Sequence, residues 1–275
     1  MSKRLLTRVI GVLSVSTMFL FINGVEAQQR LRMATTTSTD NSGLLKQLNP
    51  VFEKKNKVTM DVIAVGTGKA LKLGENGDVD IVFVHAPEAE KKFVAAGYGV
   101  KRWSVMHNDF VILGPTSDPV KLNKQNSAIA AFKLINEKGA TFVSRGDQSG
   151  THKKEQILWR RASIVPLGKW YLSTGQGMGA VLQIADEKQA YTLSDRGTYI
   201  AYLNKVNLKV LGEKDPLLFN PYHIIAVDPK RHPHVKFDLA TKYIEFVRGK
   251  QGQQIIDNFR LQGMRLFHAD VVLSK

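Results

Sequence analysis

The chain contains no cysteine. That absence excludes disulfides, thiolate metal sites and anchoring through a lipid on an N-terminal cysteine. Beyond residue 22 there is no apolar run long enough to cross a bilayer, since a spanning helix needs about 20 such residues. A Walker loop is missing too, because no Lys-Ser or Lys-Thr closes the gap between glycines. The G-x-S-x-G elbow of serine hydrolases, internal repeats and low-complexity tracts are likewise not found.

Acidic residues are in the minority, 24 against 39 Lys and Arg, for a formal net charge of +15. Such a surplus suits an anionic ligand. The lysines are spread along the chain and not interleaved with aromatics, so nucleic acid is not expected as a partner, and most of the charge reads as solvated surface. A hydrophobic share of 43% with 23% charged residues is that of an ordinary globular protein. At 275 residues the chain can bury the core of one large or two medium lobes.

Residues 1–27 read as a secretory signal peptide. Lys3, Arg4 and Arg8 form the basic start, residues 9–22 the apolar run, and Val25-Glu26-Ala27 the small-residue cleavage site. A retained membrane anchor is the alternative. Without this leader the net charge is about +13, and the expected compartment is the bacterial periplasm.

Residues 144–151, Ser-Arg-Gly-Asp-Gln-Ser-Gly-Thr, lie between a strand-like run at 140–143 and a helical pattern at 153–162. Gly146 and Gly150 allow the backbone to turn, and Ser149, Gly150 and Thr151 then open a helix with unpaired N–H groups. A helix start is a natural anion site, the hydroxyls of Ser149 and Thr151 add donors, and Arg145 adds a charged fork. An ordinary capping turn would account for a lone Ser-Gly-Thr equally well. The same grammar recurs, however.

Residues 35–43 carry a run of hydroxyl side chains, including Thr36, Thr37 and Ser38, between a strand at 31–35 and a helix marked by Leu44, Leu45, Leu48 and Phe52. Residues 58–65 form a second strand, followed by Gly66-Thr67-Gly68 and a helix at 69–73. Gly177, within a glycine-rich turn ahead of a helix at 180–185, is a fourth candidate donor. His85, at the end of the apolar strand 81–84, reads as structural, and His232-Pro233-His234 reads as a solvated loop. Asp195 and Arg196 are expected to pair with each other or to cap a helix.

Strand, turn and helix thus alternate, which predicts an α/β fold with mainly parallel sheets. The regions around Trp103 and at 110–115 read as further strands. The polar stretch 115–126 and a return crossing near 215–221 divide the chain into lobe I, residues 28–113 and 215–275, and lobe II, residues 114–214. Ligands of such sheets sit outside the carboxyl ends of the strands.

Magnitudes favour a site shared by several turns. One charge-assisted hydrogen bond contributes roughly 1.5–3 kcal/mol, against an association cost of about 4 kcal/mol or more. Roughly six to eight donors would reach about −12 kcal/mol, a nanomolar site. A fully ionised tetrahedral oxyanion accepts from donors only, whereas monohydrogen phosphate also needs an acceptor. Asp147 is the acid placed to supply one. If Asp147 is tied to Arg145 or to backbone donors, phosphate loses that acceptor.

Thr35-Thr36-Thr37-Ser38, the run Val65 through Leu71, and the run Ser144 through Glu155 together resemble the tungstate-binding periplasmic proteins of tungstate ABC importers, the TupA type. The similarity in order and spacing covers nearly all of residues 30–265. It implies a two-lobed periplasmic binding protein of type II, with the ligand in the cleft between lobes, that delivers tungstate to permease subunits of an ABC transporter in the inner membrane. Carried over to this sequence, the ligand-binding residues are Thr36, Thr37, Ser38, Thr67, Arg145, Ser149 and Thr151, with Gly177 as a backbone donor. Molybdate or phosphate binding on the same fold is the alternative. A periplasmic sensor is a further one. The resemblance implies a monomer with no cofactor and no bare metal ion. A hydrolase built on Asp147, Ser149 and His152 is disfavoured because the three lie in one loop and helix turn, whereas a triad needs its histidine between the other two. No enzymatic activity is therefore expected.

Arg145→Ala is expected to lower tungstate affinity at least tenfold, or ~1.4 kcal/mol, with the fold intact. Titration calorimetry of wild type and variant checks this, and unchanged binding would remove Arg145 from the site.

Overall fold

The computed structural model describes residues 29–147 and 149–271. The leader at 1–27 and Gln148 lie outside them. Strand β1 (Gln29–Thr36) runs into the short helix α1 (Thr37–Asn41), and α2 (Leu45–Asn56) leads to β2 (Val58–Val65). Helix α3 (Thr67–Asn76), strand β3 (Ile81–Val84) and helix α4 (Pro87–Ala95) follow, before the long strand β4 (Gly99–Gly114). The second lobe holds α5 (Ala128–Glu137), β5 (Phe142–Ser144), α6 (Gly150–Arg161), β6 (Tyr171–Ser173), α7 (Met178–Glu187), β7 (Tyr191–Asp195), α8 (Arg196–Tyr202) and β8 (Lys209–Gly212). The chain returns through β9 (Phe219–Val227), α9 (Phe237–Arg248) and α10 (Lys250–Asn258). It ends in a small hairpin, β10 (Arg260–Leu261) with β11 (Met264–Arg265), and in β12 (His268–Ala269) against β4.

The main sheet has the order β2-β1-β3-β9-β4-β7-β5-β6. It is mixed, and the expectation of mainly parallel pairing is corrected here. β1 is parallel to β2 and β3, and β5 is parallel to β6 and β7. β9 is antiparallel to β3 and β4, and β4 is antiparallel to β7 and β8. The reason is topological: one strand leaves the first lobe and another comes back, so the two run in opposite directions.

β4 joins the stretches that sequence periodicity separates. From Gly99 to Asp109 it pairs with β9, and from Phe110 onward with β7 and β8. The polar residues His107, Asn108 and Asp109 break the apolar pattern at the point where the strand changes partners. The strand end at 191–198 holds a helix that periodicity did not indicate. Asp195 caps α8, its carboxylate accepting from the Thr198 N–H at 2.9 Å, while Arg196 reaches Asp109 at 2.6 Å and Glu213 at 2.7 Å in place of Asp195.

Helices cover both faces of the sheet, which is why β3 reads as an unbroken apolar run and is buried at every residue. One core of the first lobe gathers Leu31, Met33, Phe52, Phe83, Ile224 and Tyr243. A core of the second packs Phe110, Phe132, Phe142, Trp159 and Tyr191. There the Trp159 ring lies 4.3 Å from Phe132 and 5.3 Å from Phe142, centroid to centroid, and its indole N–H donates to Glu155 at 3.1 Å. Trp159→Ala would leave a cavity that the ring cluster cannot close, at a cost of about 3–5 kcal/mol. Urea unfolding should show a midpoint lowered to match, and an unchanged midpoint would contradict this account of the core.

Candidate binding site

The pairing register carries the site. Thr36 lies opposite Val65 at the carboxyl ends of β1 and β2, so α1 and α3 begin side by side. β3 ends beside β1, with the Thr35 hydroxyl donating to the Phe83 carbonyl at 2.7 Å, and this brings His85 to the same edge. From the second lobe, β5 delivers the turn that opens α6. Between them is a cavity of about 340 Å³ lined by Thr36, Thr37, Ser38, Thr67, Arg145, Ser149 and Thr151, together with Gly66, Gly68, Lys69, His85, Asp147 and Gly150.

Hydroxyls and N–H groups dominate this wall. Thr36 caps α1, its hydroxyl oxygen accepting from the Thr39 N–H at 3.3 Å and lying 2.6 Å from the Thr39 hydroxyl. No side chain caps α3, whose first turn begins at Thr67, and its N–H groups are left to the cavity beside them. Ser149 caps α6 by accepting from the His152 N–H at 3.2 Å, and its hydroxyl also interacts with the Asp147 carboxylate. Thr67 and Thr151 are almost fully buried, placing their hydroxyls where water competes little.

The Arg145 loop is held by its own acid. Asp147 Oδ2 accepts from Arg145 Nε at 3.0 Å and Nη2 at 2.5 Å, and Oδ1 accepts from the Ser149 N–H at 3.1 Å. Burial pushes the Asp147 carboxyl up, but the hydrogen bonds from Ser149 and Arg145 outweigh it and hold the group below its usual range. Gly146 sits at φ +63, and a methyl group there would collide with the Ser173 hydroxyl. The turn therefore requires glycine.

Gly177 is not among the residues that line the cavity. It opens α7, which follows β6 at the outer edge of the sheet, whereas α6 follows β5, one strand nearer the centre. His85, read from sequence as structural, does line it. The ring stacks on Tyr222 at 4.6 Å, Nδ1 is 3.0 Å from Asn220 Oδ1, and Nε2 is 3.5 Å from the Ser38 hydroxyl. Asn220 Nδ2 donates to Asn108 Oδ1 at 2.7 Å, which orients the amide oxygen toward His85 and assigns the histidine proton to Nδ1. Burial lowers the His85 pKa against the Asn220 hydrogen bond, so the ring is neutral. Its only sequence signal was its place at the end of a strand whose neighbours also end in the cleft.

Behind the Arg145 loop, buried Glu155 accepts from Ser144 Oγ at 2.7 Å, Tyr171 OH at 2.7 Å and Trp159 Nε1 at 3.1 Å. This clamp ties α6 to β5 and β6. A glutamate four residues before Trp159 on the buried side of the helix was the available clue.

The PBP superfamily domain matches residues 24–250. The tungstate-binding protein TupA of Peptoclostridium acidaminophilum is 44% identical over 240 residues, which is 86% of this chain and 84% of that protein. The chain belongs to the TupA family of tungstate-binding proteins. Among solved structures, that of the tungstate ABC transporter from Geobacter sulfurreducens is 59% identical, covers 84% of this chain and 98% of its own, and superposes with a TM-score of 0.77. TupA from Desulfovibrio alaskensis G20 is 48% identical, with 89% of this chain and 100% of its own covered and a TM-score of 0.81. These likenesses support the type II, two-lobed arrangement with the cleft between lobes.

Burial pushes the Glu155 carboxyl up to about 7, against the hydrogen bonds from Ser144, Tyr171 and Trp159. A folded pKa above the unfolded value means that this stability is fully present below about pH 4.5 and is lost as pH rises through 7, a cost of about 3 kcal/mol at higher pH. Glu155→Gln should therefore flatten the pH dependence of the urea midpoint between about pH 4.5 and 7. Parallel profiles for the two proteins would assign the slope to other groups.

Proposed function

We propose that this protein captures tungstate in the periplasm and delivers it, as a monomer and without any enzymatic step, to the permease subunits of an ABC importer. Membership of the TupA family supports the ligand class. The leader at 1–27, which lies outside the described residues, supports the compartment. Among the described residues no helix is long and apolar enough to cross a membrane. In this reading Thr36, Thr37, Ser38 and Thr67 of lobe I and Arg145, Ser149 and Thr151 of lobe II hold the anion, with Gly177 outside the first ring of donors. The lobe division at 113/114 and 214/215 lies a few residues from where β4 switches from β9 to β7, since Phe110 to Leu113 and Leu218 pack in the cores of the second lobe.

The observation that carries the choice of anion is the engagement of Asp147. Both of its oxygens accept from the protein itself, from Arg145 and the Ser149 N–H. Monohydrogen phosphate would meet a wall of donors whose one nearby carboxylate is already taken, while a fully ionised tetrahedral oxyanion needs donors alone. Desolvated donors are worth more than exposed ones, and the convergence of α3 and α6 on one cavity adds the favourable field of their first turns. Molybdate has the same charge and nearly the same size, so the donor set admits it as well.

Isothermal titration of the mature protein with tungstate, molybdate, sulfate and phosphate in one buffer tests the reading. Tungstate is expected to bind most tightly, or together with molybdate, and phosphate much more weakly. Phosphate binding tightest would mean that Asp147 leaves Arg145 to serve the ligand, and the assignment would fall.

A further inference from the structure

His85 and Gly150 meet across the cleft. A methyl group built on Gly150 would stand 3.1 Å from Cε1, 3.6 Å from Nδ1 and 3.8 Å from Nε2 of the His85 ring. The two residues come from opposite lobes, His85 following β3 and Gly150 opening α6. Neither side yields readily. The imidazole is fixed by Asn220 and by the face of Tyr222, both on β9, and Asn220 is bonded in turn to Asn108 on β4. α6 is pinned by Lys154, whose ammonium donates to the carbonyls of Leu217 at 2.9 Å and Phe219 at 3.1 Å where the chain returns between lobes. Both partners are thus referenced to the same crossing strands.

We propose that His85 is a positioning residue that sets how far the lobes close on the anion. The ring is a fixed stop on which the first turn of α6 lands, and residue 150 is glycine because any side chain would halt closure early. The depth of this stop determines the distance between donors of the first lobe, Thr36, Ser38 and Thr67, and donors of the second, Arg145, Ser149 and Thr151. It therefore selects the size of tetrahedral anion that engages both sets at once. A neutral ring suits the position, since a cation would be repelled by the positive end of α6 and by Lys154. This inference rests on the oxyanion reading of the cleft.

Gly150 has no left-handed backbone angle, and alanine favours a helix more than glycine does. Gly150→Ala therefore changes closure without a folding penalty. Calorimetry with tungstate and sulfate on wild type, Gly150→Ala, His85→Ala and the double variant is the test. Gly150→Ala should lose at least tenfold in tungstate affinity while its ligand-free thermal midpoint is equal or higher, and sulfate, the smaller anion, should lose more. Removing the ring in the double variant should recover at least threefold relative to Gly150→Ala. Wild-type affinity in Gly150→Ala, or single effects that simply multiply in the double variant, overturns the proposal. A readout that needs no anion separates the two readings: Gly150→Trp should give a larger radius of gyration than wild type in solution scattering, and equal radii overturn the stop. An expanded Gly150→Trp with no anion bound by wild type would keep the stop and reject the oxyanion reading.

Discussion

The antiparallel pairing of β4 with β9 governs the geometry of the whole molecule. These strands pass between the lobes in opposite directions, and the sheet continues from them into both lobes, through β3 beside β9 and through β7 beside β4. Asn108 and Asn220 face each other in the ladder and carry a hydrogen-bonded relay to His85. Lys154 anchors α6 to the carbonyls at the start of β9, and Arg196 holds Asp109 at the point where β4 changes partners. Because buried polar groups in such a relay must remain paired, His85 is held at a fixed place on the cleft wall.

On this frame the cleft concentrates donors with little acceptor capacity. Backbone N–H groups at helix starts cost nothing in side-chain entropy and are already aimed, and the hydroxyls and Arg145 complete the wall. Asp147, the acid in this wall of donors, orients the guanidinium and ties down the Ser149 N–H. Glu155 does similar work one layer deeper, at the expense of burying a carboxyl whose protonation is then displaced toward neutrality. Loop precision is thus bought with buried acids.

Much of this was legible in the linear chain. Residues 58–65 and 81–84 matched their strands because continuous or alternating apolar runs have few other uses. The hydroxyl-rich and glycine-rich turns at 35–38, 66–68 and 144–151 stood out because such residues are poor core material and good helix openings. Their assembly into one cavity follows from strand order, which periodicity does not encode.

What sequence could not disclose were the relations between distant segments. β4 looked like separate strands because His107, Asn108 and Asp109 interrupt its apolar pattern, although backbone pairing continues through them. His85 lines the cavity and Gly177 does not, because which strand end faces the cleft depends on the position of that strand in the sheet. Local chemistry, meaning which turns can donate to an anion, is a property of residue type and near neighbours and is written in the chain. Which donors converge, whether Asp147 is free, and what limits closure depend on contacts between residues far apart in sequence, and those exist only once the lobes have packed.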